Sequence, residues 1–239
     1  MNENQVAVIT GGGTGIGAAT AIELASTGMS VVVVGRREKP LEEVARKITN
    51  AGGVAVPYPA DVSDYSAMEK LATDTLARFG RVDLLVPNAS VHDVSMIAEG
   101  NPEWWRTLML INAVGLFNTV RAFVPHMIAQ GHGHIIIISS ASGRITYVGE
   151  AIYEASKHAQ VAFADCLRME MVEHGIKVTI IEPGMVDTPM LDNPFANELK
   201  KKVTPLEAVE VARVVRFAYE QSPNCAINEV VMRPLKQAL

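Results

Sequence analysis

The sequence predicts an α/β architecture: a doubly wound, seven-stranded parallel sheet with helices on both faces. Three observations predict it. Seven short runs, at 6–10, 30–35, 54–57, 83–86, 134–139, 177–182 and 227–231, are rich in valine and isoleucine and do not alternate polar with apolar residues. Continuous β-branched runs of that length suit strands buried on both faces. Between them lie six segments of helical length, at 15–27, 41–51, 65–79, 105–130, 151–174 and 206–220. Strands alternating with helices make a layered, doubly wound sheet. Finally, the first run passes directly into a glycine-rich turn, Gly11-Gly12-Gly13-Thr14-Gly15-Ile16-Gly17.

Composition narrows the function classes. The chain has 239 residues, 49% of them apolar and 20% charged, with 26 acidic against 21 basic side chains. A disordered chain would need more charge and fewer apolar residues. A balance of −5 offers no dense basic surface for nucleic acid. Cys166 and Cys225 cannot build a disulfide framework, and neither they nor the six histidines show metal-ligand spacing. No metal site is expected. The polar start, Met1 to Gln5, carries no signal-like pattern, and no apolar run approaches the ~20 residues needed to span a bilayer. The expectation is a cytoplasmic chain with reduced thiols and no membrane contact. Residues 1–239 are expected to form one domain, with an irregular stretch at 184–203, containing Pro189 and Pro194, as its substrate loop.

Each element adds a candidate residue. The first strand, the glycine turn and the helix that follows form an anion site. Backbone N–H groups at a helix N-terminus point outward, and the helix dipole favours a phosphate. Gly11, Gly13, Thr14, Gly15, Ile16 and Gly17 are the candidates, because glycine lets the backbone approach a pyrophosphate. The second strand ends in Gly35-Arg36-Arg37. A cofactor with a free ribose 2′-hydroxyl expects a carboxylate there, whereas Arg36 and Arg37 suit a 2′-phosphate. That favours NADP over NAD. After the third strand comes Asp61-Val62, where the carboxylate either meets an adenine or caps the helix near Tyr65.

Asn112 interrupts a long apolar helix, as a satisfied structural group, as a kink, or as the holder of a water. The fifth strand ends in Ser139-Ser140, and ligands of such sheets bind beyond the carboxyl ends of the strands. Tyr153 and Lys157 stand at i and i+4 on one helix face. A free tyrosine ionises near pH 10, and a neighbouring ammonium favours its phenolate. Such a pair can take a proton from an alcohol or return one to an alkoxide.

Taken together, Thr10 to Gly17, Asp61, Asn88-Ala89, Asn112, Ser140, Tyr153-x-x-x-Lys157 and Pro183-Gly184 resemble the short-chain dehydrogenase/reductases in order and spacing, over essentially the whole chain. The resemblance implies a Rossmann fold with Tyr153 as general acid/base. It implies that Lys157 lowers the Tyr153 pKa and binds the nicotinamide ribose, that Ser140 holds the substrate oxygen, and that Asn112 anchors a relay water. It places Asp61, Val62, Asn88 and Ala89 along the cofactor, and Pro183, Gly184, Val186 and Thr188 around the nicotinamide. The family typically forms homotetramers through the helices at 105–130 and 151–174. The implied activity is NADP(H)-dependent interconversion of a small carbonyl compound and an alcohol, as in a carbonyl reductase or alcohol dehydrogenase.

Two departures stand out. Ser90 replaces the family's glycine after Asn88-Ala89, and the tail from Ile227 to Pro234 resembles a subgroup of NADP-linked reductases. Two other functions are open to such a fold. A non-catalytic nucleotide sensor would have no need of Ser140, Tyr153 and Lys157, and an epimerase or dehydratase of the extended branch would need a C-terminal substrate domain for which there is no room. The substrate pocket is expected from 90–96, 142–150 and the loop after Pro183. Asp93, Arg144 and Glu150 there either face the substrate or contact solvent.

Overall fold

The computed structural model describes residues 5–191, 197–198, 200 and 202–237. The sheet has seven parallel strands: β1 (Val6–Thr10), β2 (Ser30–Gly35), β3 (Val54–Pro59), β4 (Leu84–Val86), β5 (Gly133–Ile138), β6 (Ile176–Pro183) and β9 (Glu229–Met232). Their spatial order is β3-β2-β1-β4-β5-β6-β9. The order reverses beside β1, so the crevice between β1 and β4 is the switch point at which such sheets bind ligands.

Alternate residues of each strand feed two separate cores. On one face, Val8, Val32, Leu85 and Ile137 pack with α3 (Tyr65–Phe79), α5 (Gly115–Gln130) and α6 (Ala151–Met171). On the other, Ala7, Ile9, Val33 and Ile136 pack with α1 (Gly15–Ala25), α2 (Glu38–Asn50) and α7 (Ala208–Tyr219). Both faces being covered explains why the strands read as unbroken apolar runs. The short β4 is tied to β1 by Asp83, whose Oδ2 accepts the Val6 N–H at 2.8 Å.

The structure shifts several expected boundaries. The helix expected at 105–130 begins at Pro102, one residue after the Asn101 cap, and is interrupted. It runs as α4 (Pro102–Met109), a π-turn at Leu110–Val114, then α5. By length and composition this segment could cross a membrane, but much of it is buried against the sheet and α3. The start expected at 206 is a strand: β7 (Val186–Asp187) pairs with β8 (Leu206–Glu207), and α7 follows. Within the 184–203 loop, residues 192–196, 199 and 201, including Pro194, lie outside the described residues.

Candidate active site

The glycine turn places the N-terminus of α1 at the switch point. Gly11 and Gly15 adopt positive φ, at 65° and 53°. Gly17 is required by space: a Cβ there would lie 2.3 Å from the Gly11 carbonyl oxygen. The N-cap Thr14 makes no side-chain cap, and no acidic residue stands in the first turn. The first N–H groups of α1 are thus left for an external acceptor. Asn88 braces the turn, its Nδ2 donating to the Thr10 carbonyl at 2.9 Å.

Two cavities flank this turn. The first, about 250 Å³, is lined by Gly11, Gly13, Thr14, Arg36, Arg37, Asp61, Val62, Ala89 and their neighbours. Arg36 is mostly exposed and stands 3.9 Å from Asp61. Asp61 does not cap α3, a role taken by Asp64. Its Oδ1 accepts from the Ser63 N–H and hydroxyl, while the residue still faces the cavity.

The second cavity, about 290 Å³, holds the expected chemistry. Ile16, Asn88, Ser140, Tyr153, Lys157, Pro183, Gly184, Val186 and Thr188 all line it. So do His92, Tyr147, Glu150, Met185 and Gln237. Ser90 lines both cavities. The Ser90 side chain is therefore accommodated at the boundary between them.

Tyr153 is buried, and loss of hydration pushes its phenol well above the usual range, with the nearby Glu150 carboxylate acting in the same direction. A hydrogen bond from Ser140 works against both. The Lys157 Nζ lies 5.5 Å from the Tyr153 ring centroid, and burial lowers its pKa to about 7. The Asn112 carboxamide is fully engaged. It exchanges hydrogen bonds with the Val91 backbone at 2.8 and 2.9 Å and donates to the Ser156 hydroxyl at 3.1 Å. Asn112 lies in the π-turn, a local distortion that recurs at functional sites.

Sequence reading missed two groups here. Gln160, buried one turn beyond Lys157, accepts from Nζ at 3.2 Å and donates to the Asn112 carbonyl at 2.7 Å. Its spacing from Lys157, i and i+3, was the available signal. The second is Gln237 in the tail, whose Oε1 accepts the Met185 N–H at 2.9 Å and so ties the C-terminus to the pocket wall. No local pattern marks that contact, which joins residues 52 apart. Of the polar residues expected near the substrate, Arg144 turns to Glu182 and Glu229 at 3.1 and 2.9 Å. Asp93 accepts from Ser95 and Trp105. Glu150 alone of these lines the cavity.

Known proteins share this fold. The model of the short chain dehydrogenase family matches residues 5–199. An uncharacterised oxidoreductase of Staphylococcus epidermidis is 36% identical over 98% of both chains. Among solved structures, a metagenomic short-chain oxidoreductase in complex with NADP superposes with a TM-score of 0.85, 34% identity and 97% coverage of both chains. The closed form of a serine dehydrogenase complexed with NADP+ gives a TM-score of 0.92 at 27% identity, covering 98% of this chain and 97% of that one. With a Rossmann-type sheet, a glycine turn at its switch point and a buried Tyr153–Lys157 pair opposite, the chain belongs to the short-chain dehydrogenase/reductase family of oxidoreductases.

Proposed function

We propose that this protein is an NADP(H)-dependent oxidoreductase that interconverts a ketone or aldehyde with an alcohol, Tyr153 being the general acid/base. The observation that carries the reading is the convergence of Ser140, Tyr153 and Lys157 in one cavity beside an uncapped helix N-terminus.

The residues fit a phosphorylated dinucleotide. The open N–H groups of α1 suit its pyrophosphate, and Arg36 and Arg37 in the adjoining cavity suit a 2′-phosphate. Asp61 and Val62 would border the adenine, and Asn88 and Ala89 the inner ribose. Pro183, Gly184, Val186 and Thr188 would enclose the nicotinamide, which supplies or accepts the hydride when bound. NADP is also what the neighbouring solved structures contain.

The rest of the chemistry belongs to the chain. Ser140 and the Tyr153 hydroxyl hold the substrate oxygen, and in reduction Tyr153 gives it a proton. In oxidation the Tyr153 phenolate takes the proton back. Lys157 favours that phenolate through its positive charge and would also hold the nicotinamide ribose. Asn112 serves by position: its carboxamide fixes the 91 loop against α6, and its carbonyl meets Gln160. Residues 1–239 would supply both cofactor and substrate contacts as one domain. Assembly as a homotetramer is part of the reading, through faces of α4 to α6 where Leu110, Val114 and Met169 are exposed; sedimentation equilibrium tests it.

Tyr153→Phe is the decisive experiment. Loss of a positioned acid/base lowers kcat about 10²–10⁴-fold, while NADPH affinity, measured by fluorescence titration, is expected to hold. Retained turnover would refute the mechanism. A nucleotide sensor would bind NADPH yet turn over no member of a panel of ketones, aldehydes and alcohols.

A further inference from the structure

The substrate cavity carries an unusual group, Glu150. Glu150 is the N-cap residue of α6, three residues before Tyr153, and both line the same cavity. A glutamate at a helix start is commonly explained by the helix dipole or by capping. Here its side chain makes no cap hydrogen bond. It is 8% exposed and lines the cavity. Among the described residues His92 Nε2 stands 3.5 Å from its Oε1, an ion pair when the imidazole is protonated. The His92 ring in turn packs edge-on against Tyr153, with centroids 4.5 Å apart.

This placement works against the base beside it. A carboxylate close to Tyr153 disfavours the phenolate that alcohol oxidation needs. A buried carboxylate also requires a partner to offset its lost hydration. Among the described lining residues, Lys157 is the one lysine or arginine, and its ammonium is directed to Gln160 and Tyr153. Arg144 pairs with Glu182 and Glu229 and does not line the cavity. Elsewhere the cavity is lined in part by Met185, Met190 and Leu191. Among the described lining residues only Lys157 and His92 can carry a positive charge, and a substrate can bring one to Glu150.

We propose that Glu150, supported by His92, binds a cationic ammonium group on the substrate, so that the enzyme prefers amino alcohols and the corresponding amino ketones or aldehydes over neutral and anionic analogues. The inference rests on the oxidoreductase reading above and names the substrate class for the same site. The ammonium meets the Glu150 carboxylate while the neighbouring hydroxyl oxygen is held at Tyr153. It offsets the Glu150 charge when bound, so the phenolate forms more readily with the right substrate than with a neutral one.

The test compares 1-amino-2-propanol, 2-butanol and lactate, which present similar secondary carbinols with an ammonium, a methyl and a carboxylate beside them. Oxidation is followed by NADPH formation in wild type and in Glu150→Gln. The wild type is expected to favour the amino alcohol over 2-butanol by about tenfold or more in kcat/KM, the scale of one close charge pair, and lactate to be poorest. In Glu150→Gln that ratio collapses toward one. Equal use of the three alcohols by the wild type, a preference for lactate, or an unchanged ratio in the variant would each overturn the proposal. Calorimetric titration of 1-amino-2-propanol into NADP+-loaded protein gives a readout free of turnover. Saturable binding that Glu150→Gln abolishes supports it, and absence of binding by the wild type overturns it. Turnover of neutral alcohols without the ammonium preference sinks only this inference. Failure to turn over any alcohol or carbonyl compound sinks the oxidoreductase reading itself.

Discussion

The two cavities beside the glycine turn are built by different means. The wall shared with α1 is made of backbone: N–H groups, positive-φ glycines and a carbonyl that leaves no space for a Cβ. The opposite cavity is made of side chains: Ser140 beyond β5, His92 from the segment after β4, Tyr153, Lys157 and Glu150 from the start of α6, and Gln237 from the tail. A backbone-built site tolerates almost no change in shape but is indifferent to most side chains around it. A side-chain-built site can lose one group and keep its shape. The difference predicts distinct modes of failure.

The sharpest way to break the comparison is Gly17→Ala. The added methyl would sit 2.3 Å from the Gly11 carbonyl and 2.6 Å from Asn88 Nδ2. The turn must shift, and overpacking of that kind costs about 1–3 kcal/mol. Thermal unfolding should therefore show a lower Tm, and NADPH affinity should fall with it. Stability and binding decline together because the same atoms provide both. Should Gly17→Ala retain full stability and affinity, the claim that backbone builds this wall fails.

A smaller effect is expected where the first cavity does depend on side chains. Arg36 and Arg37 both line it, and Arg36 is more than half exposed. Solvent screening holds an exposed pair to about 1 kcal/mol or less. Replacing both with alanine should thus lower the NADPH-over-NADH ratio of kcat/KM by about tenfold, roughly 1.4 kcal/mol, with Tm little changed. An unaltered ratio would assign the preference elsewhere.

The same contrast explains what could be read in advance. The backbone-built wall was legible because its chemistry is local: a strand, a glycine run and a helix follow one another within residues 6–25. The sheet was legible because burial on both faces leaves valine and isoleucine little company. At Asn112 the sequence marked a kink or a satisfied group, but not its partners Val91 and Ser156, which lie 21 and 44 residues away. The β7–β8 pair was missed for a similar reason. Its two strands have two residues each and no periodicity of their own. Among Asp93, Arg144 and Glu150, sequence left all three open; in the fold Arg144 pairs with Glu182, Asp93 accepts from Ser95 and Trp105, and Glu150 lines the cavity.

Gln160 gives the most discriminating measurement in the side-chain-built half. Its side chain joins Lys157 to the Asn112 carbonyl, through contacts of 3.2 and 2.7 Å. Its oxygen accepts from Nζ and so favours the ammonium form of a lysine that burial already holds near a pKa of about 7. Gln160→Leu keeps the bulk and removes both hydrogen bonds. Lys157 then loses its proton at lower pH, and at a given pH above that point fewer molecules carry the charge that favours the Tyr153 phenolate. The phenolate forms later, so the rising limb of the pH–rate profile for alcohol oxidation moves to higher pH. At neutral pH kcat should fall about fivefold, on the order of one buried hydrogen bond, with NADP+ affinity little altered. Gln160→Glu keeps an acceptor at Nζ and should bring the limb back. A residue that merely filled space would lower kcat without moving the limb, and Gln160→Leu with an unshifted profile would reduce Gln160 to that role.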